Sequence, residues 1–442
     1  MSSIVDRLDR FFGRYYPDPI VFTIGLSIMT MAACLMVTDT TATDAIRLWG
    51  DGLPSLLTFV AQLSLTLIFS HTLANTSVVA SGLNWMARRP GSTSSAYLFV
   101  AIITSGLSLV TWSLGLVGGA IIARSVAAEA AQKGLKLHYP LLVATAYAAT
   151  CIWHMGYSSS AALFVATDGH ALELQMGVIP VTQTVFTAWN GLIIVCSIFA
   201  ICSTVLVLKS ATRNVSTLDP EPDDQAPVYS EPTTPAEKLE RSRWLTLLLA
   251  AAVAFYLCQQ IWTGSFAIDL NTVNWSLLVA CLLFVKSPRD LVDSMSQAGP
   301  IITPILLHYP FYAGMMSLMI GSGLVAILAE GLVGIASAET LPVLAFLSGG
   351  LLNIFIPSGG GQWVVQGPIF IEAANALGVP PEQIVMAVAY GDQWTNLIQP
   401  FWALPMLAIA GLEVRQILGF CSIFLLTLGM VLGGGLIIVA WL

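Results

Sequence analysis

The sequence predicts an all-α polytopic membrane protein: two inverted-topology repeats with broken helices and re-entrant hairpins, about 10–12 membrane segments in all. Three observations predict it. First, 56% of the 442 residues are hydrophobic and only 10% are charged, against about 25% charged in an average soluble domain. The mean hydropathy of +0.80 agrees. Second, no Asp, Glu, Lys or Arg occurs between Asp51 and Arg88, Arg89 and Arg124, Lys136 and Asp168, Glu173 and Lys209, Asp293 and Glu330, or Glu339 and Glu372. A membrane-spanning helix takes about 20 apolar residues. Third, the chain repeats itself. Laying residue n on residue n+243 pairs Ser105-Gly106 with Ser348-Gly349, Gly118 with Gly361, and Ala146-Tyr147 with Ala389-Tyr390, among ten identities from 105 to 147.

Residues 4–16 alternate apolar and charged side chains near helical spacing, which suggests an interfacial helix within 1–18. The first membrane repeat covers 19–208. Its spans are expected at 20–37 and 53–74, joined by a short loop at 38–51. The run 92–123 is too long for one span and is interrupted at 111–119. The run 137–167 is interrupted at 153–160, and a plain span follows at 184–207. Residues 209–243 are rich in Pro, Ser, Thr and acidic residues. They read as a cytoplasmic linker ending in a short polar helix from Pro235. The second repeat, 244–442, has spans at 244–263, 273–286 and 299–320, interrupted runs at 340–372 and 382–411, and a last span at 416–441. Basic residues cluster at 7–14, 88–89, 209–243 and 286–289, and placing them in the cytoplasm gives the equivalent spans 53–74 and 299–320 opposite directions.

Several function classes drop out. The net charge is −8 with no basic stripe, so nucleic acid is not a partner. The seven cysteines stand singly in apolar runs and read as small buried hydrophobes. No phosphate-binding Gly-Lys-Ser/Thr loop and no HExxH metal spacing occurs, so neither a cofactor nor a metal is expected. No His/Asp/Ser set supplies a catalytic centre.

The interruptions carry the functional signal, because polar and helix-breaking residues at membrane depth are costly unless they line a cavity. Pro357 ends a helix. Ser358, Gly359, Gly360 and Gly361 can turn sharply, and a new helical run is expected from Gln362. A helix start carries about half a positive charge and unpaired N–H donors, so it can hold a carboxylate without lysine or arginine. The alternative is glycine serving close helix packing. Thr111, Trp112, Ser113 and Gly115 form the partner break, expected to face the first one. Asp392, within Tyr390-Gly391-Asp392-Gln393, demands a proton or a paired cation at membrane depth, unless it caps a helix near the interface. Asn396 and Gln399 offer amides. Trp394 and Trp402 suit an apolar pocket, or an ordinary core. His154 and Ser158-Ser159-Ser160 occupy the equivalent break in the first half. His154, like His71 and His308, reads as a hydrogen-bonded core residue, with a functional role as the alternative.

The segments P-S-G-G-G-Q-W-V-V-Q-G-P (357–368) and A-Y-G-D-Q-W-T-N-L-I-Q-P-F-W-A-L-P (389–405) resemble the bacterial short-chain fatty acid transporter family, of the acetoacetate and butyrate uptake type. Y-Y-P-D-P-I-V-F, W-G-D-G at 49–52 and N-T-V-N at 271–274 fit as well. The resemblance covers essentially the whole chain. It implies a multi-pass carrier of the bacterial inner membrane, from a superfamily that pairs inverted repeats with re-entrant hairpins. It implies small monocarboxylates as substrates, with Ser358 to Gln362, Gln366, Asp392, Gln393, Asn396 and Gln399 as site positions. The expected function is cation-coupled secondary transport with H+ or Na+, the partners being the carboxylate, the ion, the lipid bilayer and, as an open expectation, a second copy in a homodimer. A carboxylate channel or facilitator is the alternative, and a membrane enzyme is disfavoured.

Overall fold

The computed structural model describes residues 11, 14, 18–167, 170, 172–211, 234–264, 266, 270–357 and 359–441. The expected interfacial helix, Ser358, the turn at Asp168-Gly169 and most of the linker lie outside the described residues. Helices account for nearly all the regular structure there. In the first half they are α1 Pro19–Val37, α2 Ala42–Gly52, α3 Leu57–Ala74, α4 Ser77–Ala87, α5 Thr93–Val110, α6 Trp112–Gln132, α7 Tyr139–Thr150, α8 Ser160–Val165, α9 Glu173–Met176 and α10 Ala188–Ala211. A short α11, Pro235–Glu240, precedes the second half. That half holds α12 Arg243–Trp262, α13 Leu270–Phe284, α14 Pro288–Gln297, α15 Gly299–Gly321, α16 Leu324–Val333, α17 Leu341–Asn353, α18 Gly359–Leu377, α19 Pro381–Thr395, α20 Pro400–Ala410 and α21 Val414–Ala440. Two 3-10 turns, Trp153–Met155 and Asn396–Ile398, punctuate the halves.

Local chemistry sets many boundaries. Asp18 caps α1 ahead of Pro19. Ser92 and Ser95 form a reciprocal cap on α5, as Thr234 and Glu237 do on α11. Pro140, Pro288, Pro381 and Pro400 sit in first turns, where a missing N–H costs nothing. The polar helix expected from Pro235 is present. The expected loop at 38–51 is instead mostly helix α2, capped by the Thr41 hydroxyl on Asp44 N. The sequence reading missed it because the stretch is amphipathic rather than apolar.

Six helices, α1, α5, α6, α10, α12 and α21, are long and apolar enough to cross a bilayer. A seventh candidate is the α15–α16 pair, bent by 71°. Shorter apolar helices arise within α3 and α13 and at α17 and α20. Leu, Phe, Trp and Val side chains exposed on α1, α10, α12 and α21 form the surface a bilayer would cover.

Packing crosses between the halves in pairs. α1 packs on α15 as α13 packs on α3, and α2 on α15 as α14 on α3. α6 packs on α4 and α20; α18 packs on α16 and α8. α5 and α7 pair as α17 and α19 do. Under the 243-residue shift, α5 and α17 end at equivalent residues and the two 3-10 turns coincide.

Candidate functional site

Four interruptions meet in the interior. The first is a single residue: Thr111 is extended (φ −158°, ψ 142°) and α6 begins at Trp112. Ser113 and Gly115 therefore lie in the first turn of α6, and the stretch 111–119 contains one break rather than a loop. A broken helix leaves carbonyls and amides to satisfy. Tyr157 N donates to Leu109 O at 2.8 Å, and the Ser158 hydroxyl accepts from Trp112 N at 3.0 Å. Gly156 permits this approach, since a Cβ there would lie 2.2 Å from Leu109 O.

The second interruption runs from Ile354 through Pro357. α18 then begins at Gly359, earlier than the expected start at Gln362. Gln399, the residue before α20, donates Nε2 to Asn353 O at 2.7 Å and Ile354 O at 3.2 Å. Residues 156 and 399 correspond in the 243-residue register, so equivalent positions hold the carbonyl ends of α5 and α17. Asn396 closes the same corner. Its Oδ1 accepts from Asn353 Nδ2 at 2.7 Å, and its carbonyl from Tyr147 OH at 2.6 Å.

The third and fourth interruptions hold the two 3-10 turns. His154, read from sequence as a core residue, is the centre of the first. It is fully buried. Its Nε2 lies 3.1 Å from Asp392 Oδ1, its Nδ1 3.2 Å from Ser159 Oγ, and its backbone N–H donates to Gln393 Oε1 at 2.9 Å. Asp392 is buried in the last turn of α19 and is not an interfacial cap. The start of α18 rests on this pair: a Cβ on Gly359 would lie 2.4 Å from His154 Nε2 and 2.7 Å from Ser160 Oγ. Gly360 is roomier, with Ser160 Cβ at 3.8 Å. Gln362 is tied down by its Nε2 on Gly349 O at 2.8 Å.

The start of α6 meets a different neighbour. Trp112 and Trp402 are edge-on at 5.2 Å, and Trp153 lies 6.3 Å from Trp402. With Leu116, Tyr147, Thr150 and Asn396 they line a cavity of about 10 Å³, the size of one water. The turn Trp153–Met155 thus stands between the two helix starts, with Trp153 on the α6 side and His154 against α18. Trp394 lies elsewhere. It packs on Phe346 and donates Nε1 to Leu425 O at 2.7 Å, as a core aromatic does. A larger cavity of about 300 Å³, mostly apolar, opens among α3, α4, α5, α6 and α13, with Ser113 on its wall.

Buried polar atoms without a hydrogen-bond partner among the described residues concentrate here. They include Ser160 Oγ, Asn353 Oδ1, Gln362 Oε1, Trp363 Nε1, Gln366 Nε2, Asp392 Oδ2, Gln393 Nε2 and Gln399 Oε1. Each such atom costs about 1–3 kcal/mol. These eight sit within about two turns of an interruption; others, among them Ser64 Oγ, Thr72 Oγ1 and Ser197 Oγ, lie elsewhere. Asn353 was not singled out from the sequence. The signal was available as a lone amide closing the apolar run 341–352. Among the described residues, no group of three His, Cys, Asp or Glu side chains could hold a metal.

The family model for the short chain fatty acid transporter matches residues 1–439. The chain belongs to this family. A provisionally named short-chain fatty acid transporter of Escherichia coli (strain K12) is 38% identical over 433 residues, covering 97% of this chain and 98% of its own. One from Haemophilus influenzae, named the same way, is 34% identical, covering 95% and 96%. The crystal structure of the Alcanivorax borkumensis YdaH transporter aligns over 96% of this chain and 98% of its own, at 18% identity and a TM-score of 0.42. Membership makes this multi-pass chain a transport protein rather than an enzyme.

Proposed function

We propose that the protein is a secondary active transporter of the bacterial inner membrane that takes up short-chain fatty acids or related small monocarboxylates, such as butyrate and acetoacetate, coupled to H+ or Na+. One observation carries the reading: buried polar atoms lacking partners gather at the ends of the interrupted helices, where a ligand would satisfy them. The carboxylate binds at the start of α18, on the amides of Gly359, Gly360 and Gly361, with Gln362 beside them. Helix starts hold anions without a cationic side chain. Trp112 and Trp402, across the Trp153–Met155 turn from the α18 start, close an apolar approach to the site, with Thr111, Ser113 and Gly115 at the start of α6. Asn396 and Gln399 fix the geometry of the second break, and Asp392 answers for the coupling ion.

The halves supply the motion. Related repeats of opposite orientation that exchange partners are the pattern of alternating access. A cavity of about 10 Å³ holds no carboxylate larger than a water. The tryptophans must separate for substrate to enter, so transport requires a second conformation.

The test is uptake of acetate, butyrate and acetoacetate into proteoliposomes under imposed proton or Na+ gradients, corrected for protein-free vesicles. Accumulation above equilibrium is the expected result. Uptake that only equilibrates would favour a channel instead, and no uptake of any of the three would reject the substrate class.

A further inference from the structure

We propose that the His154–Asp392 pair is the coupling-proton site, and that its occupancy decides whether the start of α18 accepts a carboxylate. The inference rests on the transport reading above and deepens it. The pair joins an acid of one half to a base of the other at 3.1 Å, both buried. Asp392 Oδ2 has no partner among the described residues. Nδ1 of the ring faces Ser159 Oγ at 3.2 Å, and a hydroxyl can either donate or accept. The ring can therefore hold one proton or two with both nitrogens still paired. Gly359 lies directly on the ring, so an anion on the first amides of α18 sits close to Asp392.

Charge decides the rest. With a neutral imidazole, Nε2–H donates to Asp392, Nδ1 accepts from Ser159, and the pair carries one negative charge. Two like charges about 5 Å apart, at an effective dielectric of about 20, lose on the order of a hundredfold in affinity. One proton from the open aqueous side neutralises the pair: an N–H bond forms at Nδ1, which then donates to Ser159 Oγ. The carboxylate and this proton cross together as a load without net charge, and the same N–H bond breaks on the far side. Among the described residues, no other charged side chain intervenes. α5 and α8 contain none, and Arg124 and Glu129 lie in the distal half of α6. Glu372 and Glu382 lie some ten residues or more along α18 and α19 from the pair. Nearby titratable groups are the Cys151 thiol and the phenols of Tyr147 and Tyr390. Cys151 and Tyr147 are bonded to backbone carbonyls, and Tyr390 to Asn190.

The sign follows from linkage. The anion binds the protonated pair, so affinity is greatest at low pH and falls as the pair loses its proton. The test uses the purified full-length protein in weak buffer with a pH indicator, titrated with butyrate. The expected result is about one proton taken up per butyrate bound, unchanged when Na+ replaces choline. Asp392→Asn removes the charge for good. It should bind butyrate with no proton uptake and with affinity flat across neutral pH. His154→Gln leaves the carboxylate unneutralised and should bind on the order of a hundredfold more weakly at pH 7. Combining it with Asp392→Asn should restore binding, which a merely structural pair would not do. Binding by the parent protein without proton uptake, proton uptake retained in Asp392→Asn, or a requirement for Na+ would each overturn the proposal. Absence of any carboxylate binding by the parent would overturn the transport reading, and this inference with it.

Discussion

Two adjacent glycines separate packing from function at the level of single residues. A methyl on Gly359 would strike the His154 ring, whereas a methyl on Gly360 meets only ordinary contact. Gly359→Ala should lower butyrate transport by about tenfold or more, and Gly360→Ala by clearly less. Equal losses in vesicle uptake would argue against α18 resting on the His154–Asp392 pair. From the sequence the glycine triplet was visible, and Asp392 stood out as a carboxylate inside an apolar run. The pairing of His154 with Asp392 was not visible, because a lone histidine shows nothing of a partner 238 residues away. The same holds for Ser159, which reads as one of three serines until the fold sets it against the ring.

Helix crossings carry the next level. α17 and α19 touch backbone to backbone: a Cβ on Gly391 would lie 2.0 Å from Phe346 O, and one on Gly349 2.7 Å from Val388 O. Gly391→Ala should cost about 1–3 kcal/mol or more through overpacking, read as a lowered thermal midpoint in detergent. Gly434→Ala on α21, with nothing within 4 Å, is the control expected to leave the midpoint in place. If both variants melt alike, the close crossing does not exist in solution. Helices of this kind were legible as long apolar runs. α2 was not, since an amphipathic stretch between two spans carries the composition of a loop. The start of α18 was also misplaced, because consecutive glycines signal a turn, while here the first turn of a helix accepts them against a crowded neighbour.

At the scale of the whole molecule, elements 243 residues apart pack in matching pairs. The loop before α5 and the loop before α17 correspond under the 243-residue shift. If the halves are inverted, Ser92→Cys is shielded in intact cells from a membrane-impermeant thiol reagent, whereas Ser337→Cys is labelled. Labelling of both from the same face would remove the inverted arrangement. The 243-residue register was readable from ten identities, but which surfaces meet was not, because contacts such as α6 on α20 and α18 on α8 lie between elements far apart in sequence. One feature of the first interruption reaches across the whole machine. Tyr157 and Ser158 grip the chain on both sides of Thr111, only three and four residues beyond His154. If the pair carries the coupling proton, a displacement of the imidazole would be felt at the Thr111 break through these two short tethers. Under that proposal, cutting one, as in Ser158→Ala, would loosen the gearing between ion and cargo, seen as proton entry without butyrate uptake.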